Sequence, residues 1–217
     1  MSKCVVTEPS SFEEVVEDPA WVDAMVEEYD SIVRNSAWEI VPRSEGKSVV
    51  GSRWIYKVKQ AADGSVEKYK ARFVAQGFSQ IEGIDYEETF ALVVRYSSIQ
   101  TILAISAQMG WHIHQMDVKT AFLNGVIEEE VYIEQPEGFE TFDRESHVCK
   151  LKRAWYGLKQ APCAWYTRID SYFTRLGFTK SEAYANLYHI VVEGKLLIIV
   201  LYVDDLIIIS DEKLSKS

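Results

Sequence analysis

The chain has 217 residues, 47% hydrophobic and 12% aromatic, which is enough for a sizeable core in one large domain or two small lobes. A net charge of -10 argues against a simple nucleic-acid binder; no run reaches the roughly 18 apolar residues that span a bilayer, and Met1-Ser2-Lys3-Cys4 leads to Glu8, Glu13 and Glu14 without a secretory core. Three distant cysteines, Cys4, Cys149 and Cys163, form neither a zinc pattern nor a disulfide framework and suit a reduced intracellular protein.

In chain order, Asp18-Pro19 reads as an N-cap followed by proline at the first helical position. Val22, Met25, Val26, Tyr29, Ile32 and Val33 then recur at helical spacing and are expected inside. Trp38 to Val41 reads as a short strand ended by Pro42. Residues 52–59 and 66–75 read as two strands around Asp63-Gly64, a strong hairpin signal. Ser97 or Ser98 caps a helix with Ile99, Ile102, Leu103 and Ile105 inward, closed by Gly110. Residues 112–118 alternate as a strand, with Ile113, Gln115 and Asp117 on one face. A turn at Asn124-Gly125, an acidic segment and a short strand from Val131 to Glu134 follow. Pro162 opens a helix with Trp165, Ile169, Tyr172, Phe173 and Leu176 inward, stopped by Gly177. Residues 187–192 and 195–203 form a hairpin around Glu193-Gly194, and 206–210 returns as a third strand. The fold class is α+β: a basic β-hairpin lobe and an antiparallel sheet covered by helices.

Charge is uneven along this order. Residues 1–50 carry 11 acidic and 4 basic side chains, and residues 128–145 carry eight acids and one base. Basic residues gather in 53–72 (Arg53, Lys57, Lys59, Lys68, Lys70, Arg72) and in 147–168 (Lys150, Lys152, Arg153, Lys159, Arg168). These segments suit either a phosphate-binding channel or solvated faces. His112 and His114 read as ordinary strand residues, Trp54, Trp155 and Trp165 as core, and Glu128-Glu129-Glu130 as a solvated loop.

Asp204 and Asp205 interrupt the apolar run from Leu196 to Ile209. A carboxylate in that setting must be solvated, paired or bound to a cation. Two together suit either a water-exposed hairpin turn or a divalent metal site. Asp117 ends another apolar strand. Three carboxylates on neighbouring strands would suit magnesium, which takes a few carboxylates plus waters and phosphates, in phosphoryl transfer.

Five segments, Lys68 to Phe78, Gly83 to Phe90, Gln115 to Gly125, Tyr156 to Pro162 and Tyr202-Val203-Asp204-Asp205, occur in the order found in one family. Over about Glu8 to Asp211 the chain resembles the reverse transcriptase of copia-type LTR retrotransposon Pol polyproteins. The resemblance implies a polymerase fingers-and-palm fold. It divides the chain into an acidic helical lead-in (1–50), fingers (51–110) and a mainly palm region (111–217, with finger elements at about 125–160). It implies an RNA-directed DNA polymerase acting on deoxynucleoside triphosphates with an RNA template and a DNA primer.

By the same resemblance, Asp117, Asp204 and Asp205 are catalytic and hold two Mg²⁺ ions, or Mn²⁺, with Val118 beside them. Lys70, Arg72, Lys119, Thr120, Ala121, Phe122 and Gln160 contact the nucleotide. Phe122 would crowd a ribose 2′-hydroxyl, Thr120 and Ala121 would offer backbone N–H groups to the triphosphate, and Gln160 would touch sugar and template. Tyr202 and Val203 would support the primer end.

Departures count too. Leu92 and Tyr184-Ala185 stand where the family carries proline and Asp-Pro, which suggests drift. The chain stops a few residues past the palm hairpin, so it reads as a fragment without thumb and RNase H regions, truncated after that hairpin. The location expected is intracellular, in a cytoplasmic particle or the nucleus, with no membrane contact. The alternative is an inactive transposon remnant that binds nucleic acid weakly.

Overall fold

The computed structural model describes residues 8–87, 89 and 96–211, the side chains of 96–98 excepted. Cys4, Leu92 and the side chains of Ser97 and Ser98 lie outside the described residues; the helix expected to be capped by Ser97 or Ser98 already includes Tyr96, so both serines lie within it. The chain divides into two compact units, one of residues 1–87 with 126–161 and one of 88–125 with 162–217. The stretch 51–110 is therefore shared between them, with 88–110 grouping with the second.

The first unit begins with α1 (Phe12–Val16), capped by Ser11, and α2 (Pro19–Arg34). Asp18 caps α2 as expected, its carboxylate accepting from the Ala20 N–H. The inward stripe of α2 is rotated from the expected one. Trp21, Ala24, Met25 and Ile32 are buried, while Val22, Val26 and Val33 are exposed. Trp21 takes the core position because it meets Tyr56 and Tyr69 edge-on at 5.6 and 4.8 Å.

Strands β1 (Trp38–Pro42), β2 (Val49–Val50), β6 (Tyr132–Ile133) and β7 (His147–Leu151) make a four-stranded sheet in the order β1-β7-β6-β2, with β2 and β6 parallel. β3 (Ser52–Gln60) and β4 (Val66–Ala75) form the expected hairpin. Trp54, Tyr56, Tyr69 and Ala71 turn toward α2, and Trp155 stacks on Trp38 at 4.9 Å and donates its indole N–H to the Phe73 carbonyl at 3.0 Å. Trp54 and Trp155 are thus packing residues. Glu130 is exposed in its loop, as expected, and there Lys150 and Lys47 reach it at 2.8 and 2.6 Å and hold its carboxyl down at about 2.

The second unit holds α3 (Tyr96–Met109), β5 (His112–Asp117), α4 (Ala161–Arg175, from Pro162 onward), β8 (Thr179–Lys180), β9 (Leu187–Val192), β10 (Lys195–Tyr202) and β11 (Asp205–Ser210). The five strands form one antiparallel sheet in the order β5-β11-β10-β9-β8. Trp165, Ile169 and Phe173 of α4 pack on Tyr188, Ile199, Leu201 and Leu206. Tyr172 and Leu176, expected inside, are exposed, and so is Ile105 of α3. Phe178, just past Gly177, packs against the cluster beside Phe173 instead of Leu176.

A polar seam ties α4 to β8 and β9. The Tyr188 hydroxyl donates to Asp170 at 2.7 Å, Lys180 pairs with Asp170 at 2.9 Å, and Tyr166 donates to the Ala185 carbonyl at 2.6 Å. Burial raises the Asp170 carboxyl, but the donors Tyr188 and Lys180 outweigh it and leave it below the ordinary value. A depressed carboxylate contributes stability above its unfolded pKa and loses it as pH falls through the folded one. The unit is therefore expected to lose stability on acidification below about pH 4, and Asp170→Asn to flatten that loss; urea unfolding followed against pH reads both slopes.

Candidate active site

The β10–β11 hairpin turns through two residues, Val203 and Asp204, between the cross-strand pair Tyr202 and Asp205. Asp205 thus belongs to the strand and not to the turn as expected, which gives its side chain a defined face. β5 pairs with β11 so that Asp117 stands directly opposite Asp205 and Met116 opposite Leu206. Directly opposed residues share a face of the sheet. Asp117, Asp205, Gln115 and Tyr202 therefore lie on the face away from α4, whose contacts use Leu201 and Leu206. The register joins two carboxylates that are 88 positions apart in the chain (205 minus 117).

Three hydrogen bonds hold this end of the sheet. The Val118 N–H donates to the Asp204 carbonyl at 2.9 Å. The Gln115 side-chain amide donates to Asp205 Oδ1 at 3.2 Å. The Trp165 indole N–H, from the opposite face, donates to the Val203 carbonyl at 2.6 Å. Neither Gln115 nor Trp165 was singled out for the site from sequence. The alternation of β5 already placed Gln115 beside Asp117; nothing local pointed Trp165 at the turn.

The backbone here is strained. Val203 has φ 55 and Thr120 has φ 53, the two β-branched residues among the four described non-glycine residues with positive φ. Such residues rarely adopt that region, and the cost is of order 1–3 kcal/mol each. Two-residue hairpin loops favour glycine at such a position. Strain of this kind concentrates at functional sites.

Asp117 is exposed, Asp204 and Asp205 are half-buried, and among the described residues none of the three joins an ion pair. Ile99, Gln115, Tyr202, Asp205 and Ile207 line a cavity of about 170 Å³ beside Asp205. Among the described residues no cluster of three His, Cys, Asp or Glu side chains converges on one point. The structure brings Asp117 and Asp205 together and leaves Asp204 at the turn. Val203 is half exposed.

After Asp117 the chain passes Lys119 and Thr120 into a 3-10 turn, Ala121–Asn124. The Thr120 carbonyl accepts from the Leu123 N–H and the Asn124 amide. Ala121 is fully buried, and Phe122 packs at the edge of the α4 core cluster. Gly125 closes the turn against the Ala164 and Trp165 backbone, where an added Cβ would come within 2.9 Å.

In the first unit, the β3–β4 register puts Arg53, Lys57, Lys59, Lys68, Lys70 and Arg72 on one face, with Lys57 opposite Lys70 and Lys59 opposite Lys68. Part of this charge is met internally. Lys68 pairs with Glu27 at 2.8 Å, and the Arg72 guanidinium lies 4.0 Å from the centre of the Tyr156 ring. Burial pushes the Glu28 carboxyl up against the pull of Arg72, the Phe73 N–H and Lys70. Among the described residues Arg53, Lys57 and Lys59 meet no carboxylate. Gln160 is buried; its carbonyl accepts from Gln80 at 3.1 Å and its amide donates to the Asp85 carbonyl at 3.0 Å.

An α+β chain with paired carboxylates at a strained hairpin has clear relatives. Residues 35–215 match the family described as reverse transcriptase (RNA-dependent DNA polymerase). The chain is 39% identical over 214 residues to a retrovirus-related Pol polyprotein from transposon RE1 of Arabidopsis thaliana, covering 98% of this chain and 14% of that protein. It is 41% identical over 216 residues to the Pol polyprotein from transposon TNT 1-94 of Nicotiana tabacum, covering 95% and 16%. Similarity to the transposon Ty1-LR2 Gag-Pol polyprotein of Saccharomyces cerevisiae is 28% over 210 residues.

The chain belongs to the reverse transcriptase family, and within it to the kind carried by copia-type transposon Pol polyproteins. It spans about one seventh of the length of the plant polyproteins it matches. Among the described residues no helix is long and apolar enough to cross a membrane.

Proposed function

We propose that the chain is the nucleotidyl-transfer part of a transposon reverse transcriptase, with the first unit as fingers and the second as palm. The observation that carries this reading is the register that sets Asp117 opposite Asp205, with neither in an ion pair among the described residues. Like charges directly opposed across a sheet are unfavourable. A pair kept in that position, next to a strained turn, suits binding of an external cation.

The residues fit such a cation. Magnesium is commonly held by one or two carboxylates together with waters and substrate phosphates rather than by a protein cage. Asp117 and Asp205 supply hard oxygen ligands from one face, with Asp204 and the Val118 carbonyl next in the chain. Bound there, Mg²⁺ or Mn²⁺ ions would supply Lewis-acid chemistry, polarising the triphosphate and easing ionisation of the primer 3′-hydroxyl.

The chain's own groups do the positioning. Gln115 orients the Asp205 carboxylate through its amide. Phe122, held by the α4 core, stands five positions after Asp117 and sets the room for a sugar. Lys119 and Thr120 face the triphosphate, while Ala121, expected beside them, is fully buried and supports the turn from behind; Tyr202 and Val203 carry the primer end. The primer oxygen bonds to the α-phosphorus, its proton passes to solvent, and pyrophosphate leaves. On the hairpin, Arg53, Lys57 and Lys59 are better placed for template phosphates than Arg72, which is already stacked on Tyr156. Gln160, expected to contact the nucleotide, is already held within the first unit by its own hydrogen bonds.

Primer extension on an RNA template with Mg²⁺ tests the reading. The 217-residue chain is expected to add at least one templated deoxynucleotide to a DNA primer. A folded protein that adds none with either Mg²⁺ or Mn²⁺ fits the inactive remnant instead.

A further inference from the structure

We infer that Trp165 is a positioning residue for the aspartate turn, a role that rests on the metal-site reading above. The observations lie within the second unit. Trp165 is buried in the α4 core cluster, yet its one polar atom leaves that cluster and donates to the Val203 carbonyl at 2.6 Å. Val203 is the residue with φ 55, a conformation that a β-branched side chain does not hold by itself. The next residue, Asp204, is tied by its carbonyl to Val118 at the end of β5. The turn is therefore pinned from the α4 face by the Trp165 indole and within the sheet by the Val118 backbone.

The consequence is geometric. Asp205 follows Val203 by two residues and must stay in register with Asp117. If Val203 relaxed to negative φ, the two-residue loop would change type and the strand beyond it would shift. The Trp165 indole resists this by binding the carbonyl whose direction reports the Val203 conformation. The backbone that carries Trp165 also sits against Gly125, at the end of the segment leading from Asp117 through Phe122. Trp165 therefore meets both backbone stretches that bear the carboxylates, through its indole at Val203 and through its own backbone at Gly125.

The test uses the 217-residue chain and Mn²⁺ alone, with two readouts. Amide hydrogen exchange at 203–205 reports the turn, and Mn²⁺ titration reports the carboxylates. Trp165→Phe keeps the ring and removes the donor. It is expected to speed exchange at the turn and weaken Mn²⁺ binding by about tenfold, the scale of one buried hydrogen bond. Glycine adopts positive φ without strain, so Val203→Gly in the Trp165→Phe background is expected to restore both readouts. Loss of core packing would not be restored this way.

Exchange at the turn unchanged by Trp165→Phe, or a loss that Val203→Gly fails to recover, overturns the positioning role. Mn²⁺ binding that ignores Asp117→Asn and Asp205→Asn sinks the metal-site reading instead, while the exchange data still decide the role of Trp165.

Discussion

Asp117→Asn is expected to give a folded protein that no longer adds nucleotides. The side chains are nearly isosteric, and Asp117 is exposed at the end of β5, so no packing is lost. On the proposed metal-site reading, removing this carboxylate takes away several kcal/mol of transition-state stabilisation, which corresponds to a rate loss of about a thousandfold or more. Stability should move the other way. The substitution relieves repulsion with Asp205 and should stabilise the fold by about 0.2–0.5 kcal/mol, the low end of a cross-strand pair at an exposed site. Single-nucleotide incorporation and the urea midpoint measure the two effects. A midpoint lowered along with activity would mean that Asp117 supports the fold and not the chemistry.

Gly157→Ala is expected to unfold the first unit. Gly157 has φ +95, and a Cβ there would fall 2.0 Å from the Ala75 carbonyl oxygen. The backbones are joined at this point, since the Ala75 N–H donates to the Tyr156 carbonyl at 2.8 Å. Neither chain can give way without breaking that bond and shifting the Trp38–Trp155 stack beside it. Costs above about 4 kcal/mol arise from such combined clash and strain. Gly46→Ala, at φ +81 with nothing within 4 Å, is the control; it should cost only about 1–2 kcal/mol. Denaturant unfolding followed by tryptophan fluorescence separates the two, and equal effects would show that strain alone matters.

Both results bear on what could be read in advance. The α2 cap, the β3–β4 hairpin and the β9–β10–β11 meander were legible because each is written in adjacent residues: Asp18-Pro19, Asp63-Gly64, Glu193-Gly194. β2 and β8 have two residues each, too few for any period to show, whereas β6, equally short, falls inside the strand expected from Val131 to Glu134. The parallel pairing of β2 with β6 joins segments more than eighty positions apart and leaves no local trace. The helical stripes were found but misaimed. Val22, Val26 and Val33 are as apolar as their neighbours, and only the aromatic partners of Trp21 decide which side turns inward.

The amino-acid sequence by itself determined the family, the elements built from local patterns, and the residue types of the site: two aspartates in an apolar hairpin and a third at a strand end. Those are properties of neighbouring residues. Tertiary structure alone decided that Asp117 faces Asp205, that Asp205 lies in a strand while Asp204 lies in the turn, and that Trp165 reaches the Val203 carbonyl. The reason is that strand register and indole direction follow from packing across the sheet, where a shift of one residue would turn the aspartates to the other face.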